Sequence, residues 1–169
     1  MASTWIPEPG VSRELADDRA ARISALQYAL HLSIPREATA PIQGSVRVNF
    51  ELRDASRPVA LDFAPASPGA VLSCTVNGRD VQPLHGEGHI VLPAPSFVDG
   101  ANVVHVSFIA GDVPLNRRAD YVYTIFVPAR AREVFPCFDQ PNLKARWTLR
   151  LEIPDDWLAV SNTEGIVDD

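Results

Sequence analysis

The sequence predicts an all-β fold: an antiparallel β-sandwich or saddle-like multi-sheet domain with a short N-terminal helix. Two observations carry this prediction. From Tyr28 onward, apolar and polar residues alternate through tract after tract, which is the period of a half-buried strand. The tracts are separated by proline and glycine, and 15 prolines in 169 residues disfavour a large helical bundle. No repeating helix falls between the strands, so a parallel α/β sheet is not expected, and no internal repeat is visible.

Residues 1–11 contain Pro7, Pro9 and Gly10 and read as an N-terminal arm. In SRELADDRAARISAL, residues 12–26, Ser12 can cap a helix whose face is marked by Leu15, Arg19, Ile23 and Leu26. Strands follow. YALHLSI alternates, and SVRVNFEL at 45–52 puts Val46, Val48, Phe50 and Leu52 on one side, with Arg47, Asn49 and Glu51 on the other. VALDF at 59–63 and AVLSCTV at 70–76 come next. Asn77-Gly78 is a turn signal, because both residues tolerate positive φ, and it returns the chain into DVQPL. HIVLP at 89–93, NVVHVSFIA at 102–110, YVYTIFVP at 121–128 and ARWTLRLEIP at 145–154 complete the series.

A hydrophobic fraction of 46% and a charged fraction of 21% are those of a folded chain with a substantial core. The formal net charge of −6 argues against a nucleic-acid partner. Arg117-Arg118 reads as a solvated turn. With only Cys74 and Cys137 there is no disulfide framework and no paired-cysteine zinc motif. Free thiols point to the cytoplasm. There is no signal-peptide pattern, and no apolar run approaches the roughly 18 residues of a membrane span.

Candidate chemistry is sparse. His85 and His89 lie in HGEGH, where Gly86 and Gly88 oppose a helix and the spacing is not that of HExxH, so an exposed turn is expected rather than a metal site. His31 and His105 lie on alternating strands. No nucleophile elbow, phosphate loop or dinucleotide fingerprint occurs. Cys137, between Pro136 and Phe138, reads as a buried structural cysteine with a disfavoured thiolate. In FPCFDQPNLKARW, residues 135–147, Asp139 can accept backbone N–H groups in an Asx-type turn, and Pro141 holds Gln140 extended. Phe135, Phe138 and Trp147 can anchor the two sides, with Lys144 or Arg146 compensating Asp139. The local reading is a rigid corner between strands, not a reaction site.

The tract ARAREVFPCFDQPNLKARWTLRLEIPDDWLAVSN, residues 129–162, resembles the N-terminal β-domain of the M1 family of zinc aminopeptidases. The family pattern A-R-x-x-F-P-C-F-D-E-P-x-x-K-A is carried by Ala131, Arg132, Phe135, Pro136, Cys137, Phe138, Asp139, Pro141, Lys144 and Ala145, followed by Ser161 and Asn162. Gln140 replaces the commoner glutamate. The likeness extends back through LNRRADYVYTIF and QGSVRVNFEL, so residues 12–169 are expected to form this domain, cut short at its C-terminal end with an open sheet edge.

The resemblance implies that Arg132, Phe135–Asp139, Pro141 and Lys144 are structural and interdomain residues, with no catalytic or metal-binding residue in this chain. Zinc and a peptide substrate would belong to an absent catalytic domain bearing HExxH and G-x-M-E-N. That domain and a C-terminal one are the implied partners, and residues 1–169 alone are expected to be inactive. The family commonly has T-Q-x-E before the tract, its second polar residue helping to bind the substrate α-amine. Matching Thr124 puts Ile125 and Val127 at the polar positions, and Val127 cannot accept a hydrogen bond from an ammonium group. Two readings stay open: a cleft-supporting domain of a peptidase that removes N-terminal amino acids, or a non-catalytic interaction module or inactive homologue.

Overall fold

A computed structural model describes residues 5–65, 70–118 and 120–166. One helix, α1 (Arg13–Arg22), precedes eleven strands: β1 (Ile23–Ser33), β2 (Gln43–Leu52), β3 (Val59–Asp62), β4 (Val71–Val76), β5 (Arg79–Asp80), β6 (Leu84–Gly86), β7 (His89–Leu92), β8 (Gly100–Ile109), β9 (Leu115–Arg117), β10 (Val122–Thr124) and β11 (Arg146–Glu152). They form a six-stranded sheet in the order β11-β1-β2-β8-β4-β5, a three-stranded sheet β3-β7-β6 and a β9-β10 hairpin. The architecture is the mostly-β, multi-sheet one that the alternation predicts.

The core lies on one face of the large sheet. Tyr28, Leu30 and Leu32 of β1, Val46, Val48 and Phe50 of β2, and Val104, Val106 and Phe108 of β8 cluster with Leu61 of β3 and Ile90 and Leu92 of β7. Every residue of β3 and β7 is buried, as the unbroken apolar runs VAL and IVL suggest. Gly44 is required by close approach: a Cβ there would lie 2.6 Å from Phe108 Cζ. Asn77 and Gly78 have φ of 52° and 76°, the expected hairpin turn between β4 and β5.

Three expectations are corrected. The helix stops at Arg22 rather than running on to Leu26, and Ile23 and Leu26 belong to β1. The Ile23–Leu26 spacing comes from a bulge, with a register shift between Ser24 and Gln27 and Ala25 at φ 52°. The extra residue in the bulge imitates helical spacing inside a strand. Ser12 does cap the helix, accepting from the Leu15 N–H at 3.2 Å.

The YVYTIFVP strand is shorter than expected, since β10 covers only Val122–Thr124. Arg117 is no solvated turn. Its guanidinium donates to the carbonyls of Ala40 (2.8 Å), Glu37 (2.8 Å) and Pro35 (3.2 Å), fastening the β9-β10 hairpin to the β1-β2 connection. A further difference is β11, which pairs with β1 in parallel. It arrives after a long excursion rather than through a tight turn, so no hairpin dictates its direction.

Ala25 occupies a backbone region where an L side chain costs about 1–2 kcal/mol, whereas glycine's extra chain entropy costs about 0.5–1 kcal/mol. Ala25→Gly is therefore expected to raise unfolding free energy by about 0.5–1 kcal/mol in urea titration. A fall would show that the bulge needs the methyl group more than the relief.

Candidate functional site

The corner at 131–147 begins with a 3-10 turn, Ala131–Glu133, from which residues 134–138 plunge into the core. Aromatic packing sets their direction. Phe135 meets Trp147 edge to face (centroids 5.6 Å, 75°) and Phe126 likewise (5.7 Å, 84°). Phe138 stands at 88° to Phe50 with centroids 5.9 Å apart. Trp147 stacks on Tyr28 at 4.1 Å and 11°, so the corner and β11 grip β1 between them. The Tyr28 hydroxyl, buried with its ring, accepts from the Phe138 N–H at 2.9 Å.

Backbone pairing joins the corner to β3. Asp62 N–H donates to the Cys137 carbonyl (2.7 Å) and Cys137 N–H to the Asp62 carbonyl (3.1 Å), a one-residue antiparallel bridge. The Asp62 side chain is the centre of a buried polar cluster. Arg19 from α1 donates to both carboxylate oxygens, at 2.6 and 2.9 Å, and to the Ala60 carbonyl at 2.7 Å. The Asp139 N–H donates to Asp62 Oδ2 at 2.8 Å. Arg19 also lies 5.3 Å from the centroid of Phe138.

Gln140 completes the cluster. Its Oε1 accepts from Arg19 (3.3 Å), and its Nε2 donates to the Ala16 carbonyl (3.1 Å) and Asn142 Oδ1 (2.9 Å). A glutamate there would lose these donors and place a second carboxylate beside Asp62, so glutamine fits this particular network.

His89 is a correction. It is not in an exposed turn but fully buried at the start of β7, with Nδ1 2.9 Å from Asp62 Oδ1 at an angle too bent for a good hydrogen bond, and Nε2 3.0 Å from the Glu8 carbonyl. HGEGH is a hairpin, its turn made by Glu87 (φ 52°) and Gly88 (φ 80°) between β6 and β7. The two histidines therefore part: His85 is exposed and His89 inward. The N-terminal arm docks over this hairpin, with Ile6 so close to Gly86 that a Cβ there would be 2.9 Å from Ile6 Cδ1.

Electrostatics makes this cluster a brace. Burial pushes the Asp62 carboxyl up, but the approach of His89 and the hydrogen bonds and charge of Arg19 outweigh it, leaving Asp62 below its ordinary range. Burial drives the Cys137 thiol well up, and the nearby Asp139 and Asp62 carboxylates push the same way, so no reactive thiolate is favoured. Burial, partly countered by the Arg132 N–H at 3.2 Å and joined by repulsion from Asp62, also raises Asp139.

Of the residues singled out in sequence, the structure gathers Phe135, Pro136, Cys137 and Phe138 in the core and leaves Arg132 and Asp139 half-buried at its rim. Pro141 and Lys144 are exposed. The expected compensation of Asp139 by Lys144 or Arg146 does not form among the described residues. The Asp139 carboxylate reaches back to the 3-10 turn instead of forward along the tract.

Arg19, Asp62 and His89 were not foreseen as partners. A cation on the apolar face of α1 and an aspartate inside VALDF were the available signals, because buried charge requires a partner. Among the described residues no group of three or more His, Cys, Asp or Glu could hold a metal. The buried His89 faces one carboxylate, Asp62, through Nδ1 and the Glu8 carbonyl through Nε2, a donor set too small to hold zinc in this corner.

Removing the Asp62 carboxylate would strand Arg19, and loss of one partner of a buried pair costs about 3–5 kcal/mol. Asp62→Ala is expected to lose about that much in denaturant titration. Because the folded state depresses this carboxyl, its stabilisation is full above an unfolded value of about 3.9 and lost as pH falls through the folded one. The variant should therefore lose less stability on acidification than the parent; an unchanged acid slope would contradict the pairing.

For Asp139 the sign reverses. A raised carboxyl favours the fold below the ordinary range and loses stability as pH rises towards the folded value. At neutral pH the expected order of melting temperatures is Asp139→Asn at or above the parent, and Asp139→Ala below it by about 1–3 kcal/mol in stability for the lost acceptor. Unchanged melting of the alanine variant would remove Asp139 from the corner's support.

Residues 113–168 match the Peptidase M1 N-terminal domain family. Aminopeptidase N of Streptomyces lividans is 26% identical over 171 aligned positions, covering 94% of this chain and 19% of that protein. Aminopeptidase M1 of Arabidopsis thaliana is 51% identical over 39 residues, covering 23% of this chain and 4% of that protein. Among solved structures, an M1 zinc metallopeptidase from Deinococcus radiodurans superposes with a TM-score of 0.62 at 20% identity, over 77% of this chain and 32% of that one. Native leukotriene A4 hydrolase from Saccharomyces cerevisiae does so with 0.61 at 19% identity, over 78% and 23% respectively. At these identities the superpositions speak to fold. The chain spans less than a fifth of the length of these two aminopeptidases. The β9-β10 hairpin, the braced corner and β11 all lie within the matched segment, and through it the chain is homologous to the N-terminal domain of the M1 family zinc aminopeptidases.

Proposed function

We propose that this chain is the N-terminal, cleft-supporting part of a zinc metallopeptidase that removes N-terminal amino acids from peptides, with residues 1–11 as an arm and 12–169 as the domain. The observation that carries it is the alignment with an aminopeptidase N over 94% of this chain but 19% of the relative. The catalytic and C-terminal domains would be its partners, with zinc and the peptide held by the catalytic domain. Arg132, the 135–139 run, Pro141 and Lys144 would brace the wall facing that domain.

Uncovered apolar surface supports this reading. Trp147 and Leu149 on the outer strand β11 are 51% and 48% exposed, and Leu158 and Val160 beyond it 87% and 88%. Such surface calls for further polypeptide. No helix among the described residues is long and apolar enough to cross a membrane, and two free buried thiols suit a reducing compartment, for which we propose the cytoplasm.

One observation favours the second reading, an inactive homologue or interaction module. Ile125 and Val127 are 51% and 78% exposed and apolar where the family resemblance implies polar groups. The purified 169-residue chain, stripped of metal and resupplied with zinc, is expected to give no turnover of an aminoacyl anilide. Zinc-restored hydrolysis would overturn the division of labour. Coding sequence downstream that lacks HExxH would decide for the inactive homologue.

A further inference from the structure

Strand β11, RWTLRLE, is an edge of the six-stranded sheet, with β1 on one side and no described strand on the other. The Glu152 carbonyl accepts from the Ile34 N–H at 2.8 Å, so the backbone of Glu152 faces β1. Alternate residues share that side, so Arg146, Thr148 and Arg150 face β1 as well. The N–H and C=O groups of Trp147, Leu149 and Leu151 face the open edge and have no hydrogen-bond partner among the described residues. Beyond β11, Asp156 pairs with Arg36 of the β1-β2 connection, which draws the chain towards β1 rather than over the open edge.

This edge is complementary to itself. Two antiparallel copies related by a twofold axis at Leu149 set Arg146 opposite Glu152 of the second copy, Trp147 opposite Leu151, and Leu149 opposite its own copy. Every open N–H and C=O of the three apolar residues then gains a partner. The apolar pairs meet on the core side, where Tyr28, Leu30 and Leu32 of β1 are their neighbours, and the charged pairs meet on the outward side. Opposite-charge and aromatic–aliphatic pairs are the stabilising units of a sheet.

Other registers lose these features. An axis at Thr148 or Arg150 presents the groups already turned to β1 and sets arginine opposite arginine. An axis at Trp147 or Leu151 pairs less than half of the strand, and an in-register parallel pair sets each charged residue against its own copy. The favoured register has one like-charged contact, the two Arg150 side chains on a diagonal. Each has Glu152 of its own strand 4.0 Å away, a carboxylate that also lies 3.1 Å from His31 Nε2. Two chains of net charge −6 repel, but β11 itself carries two arginines and one glutamate. Charges further apart than about 8 Å are largely screened at physiological ionic strength.

We infer that the β11 edge is a homodimer interface, an antiparallel junction centred on Leu149 that joins two six-stranded sheets into one. The pairing is isologous and uses the edge of each copy once, so it closes at two. It is independent of the peptidase reading, which rests on the alignment, and its test involves neither zinc nor turnover.

Sedimentation velocity of the 169-residue chain from about 5 to 500 μM tests it, the range suited to a contact this small. The parent is expected to pass from monomer to dimer. Glu152→Arg sets arginine against Arg146, and Arg146→Glu sets glutamate against Glu152, so each alone should weaken dimerisation at least about fivefold. Mixing the two variants restores opposite charges at both ends of the junction, and a heterodimer tighter than either homodimer is expected. Arg13→Glu, on helix α1 with its side chain 95% exposed, should dimerise as the parent does. If either exchange loses the parent's circular-dichroism signature, Glu152→Lys and Arg146→Asp replace the pair. A parent that stays monomeric would leave the edge to a different strand and overturn the inference. So would association beyond two copies, single exchanges without effect, an equal loss in Arg13→Glu, or no gain on mixing.

Discussion

The buried carboxylate of Asp62 is the contact on which the arrangement of the other elements depends. It holds Arg19 of the helix, the backbone of Asp139 in the corner and the imidazole of His89 in the neighbouring strand. Through His89 the same group reaches the N-terminal arm at Glu8. An isolated carboxylate at that depth would be expelled or protonated, so the helix, the three-stranded sheet and the corner must assemble together to satisfy it. Such a group contributes less to net stability than to uniqueness: other placements of α1 or of the corner would leave a charge without a partner.

From that anchor the corner transmits order to the edge of the large sheet. The bridge between Asp62 and Cys137 sets the depth of the run 135–138, and the rings on either side set its direction. Trp147 then lies flat on Tyr28, which selects the register of β11 along β1. The FPCFDQP tract is thereby a joint between layers. Its cysteine is shielded, its aspartate is engaged with a backbone amide, and its polar atoms are turned towards structure.

The two faces of the large sheet divide the molecule's work. One is the apolar face that packs over β3 and β7, and the other carries arginine, histidine and hydroxyl groups in register. Strand alternation makes this division automatic once the register is set, because a slip by one residue would exchange the faces. The uncovered apolar residues gather elsewhere, on β11 and the segment after it and along Tyr121–Val127.

Alternation determined the strands by itself: Val46, Val48, Phe50 and Leu52 point inward as their spacing requires, and Asn77-Gly78 turns where two residues can take positive φ. The corner was legible too, since Phe135, Phe138 and Trp147 flank a proline-limited turn. What the sequence left undecided were matters of distance across the chain. The helical spacing of Ile23 and Leu26 conceals a bulge, because local period cannot distinguish a turn of helix from one extra strand residue. His89 looked exposed because glycines surround it, and only the arrival of Asp62 and Glu8 makes its burial favourable. Lys144 stood nearer to Asp139 in sequence than Arg132 by two residues, yet the fold brings the Arg132 amide to the carboxylate. The parallel direction of β11 likewise follows from where a long excursion ends. Local periodicity is written in neighbouring residues, whereas the pairing of buried charges is settled only when remote segments exclude water together.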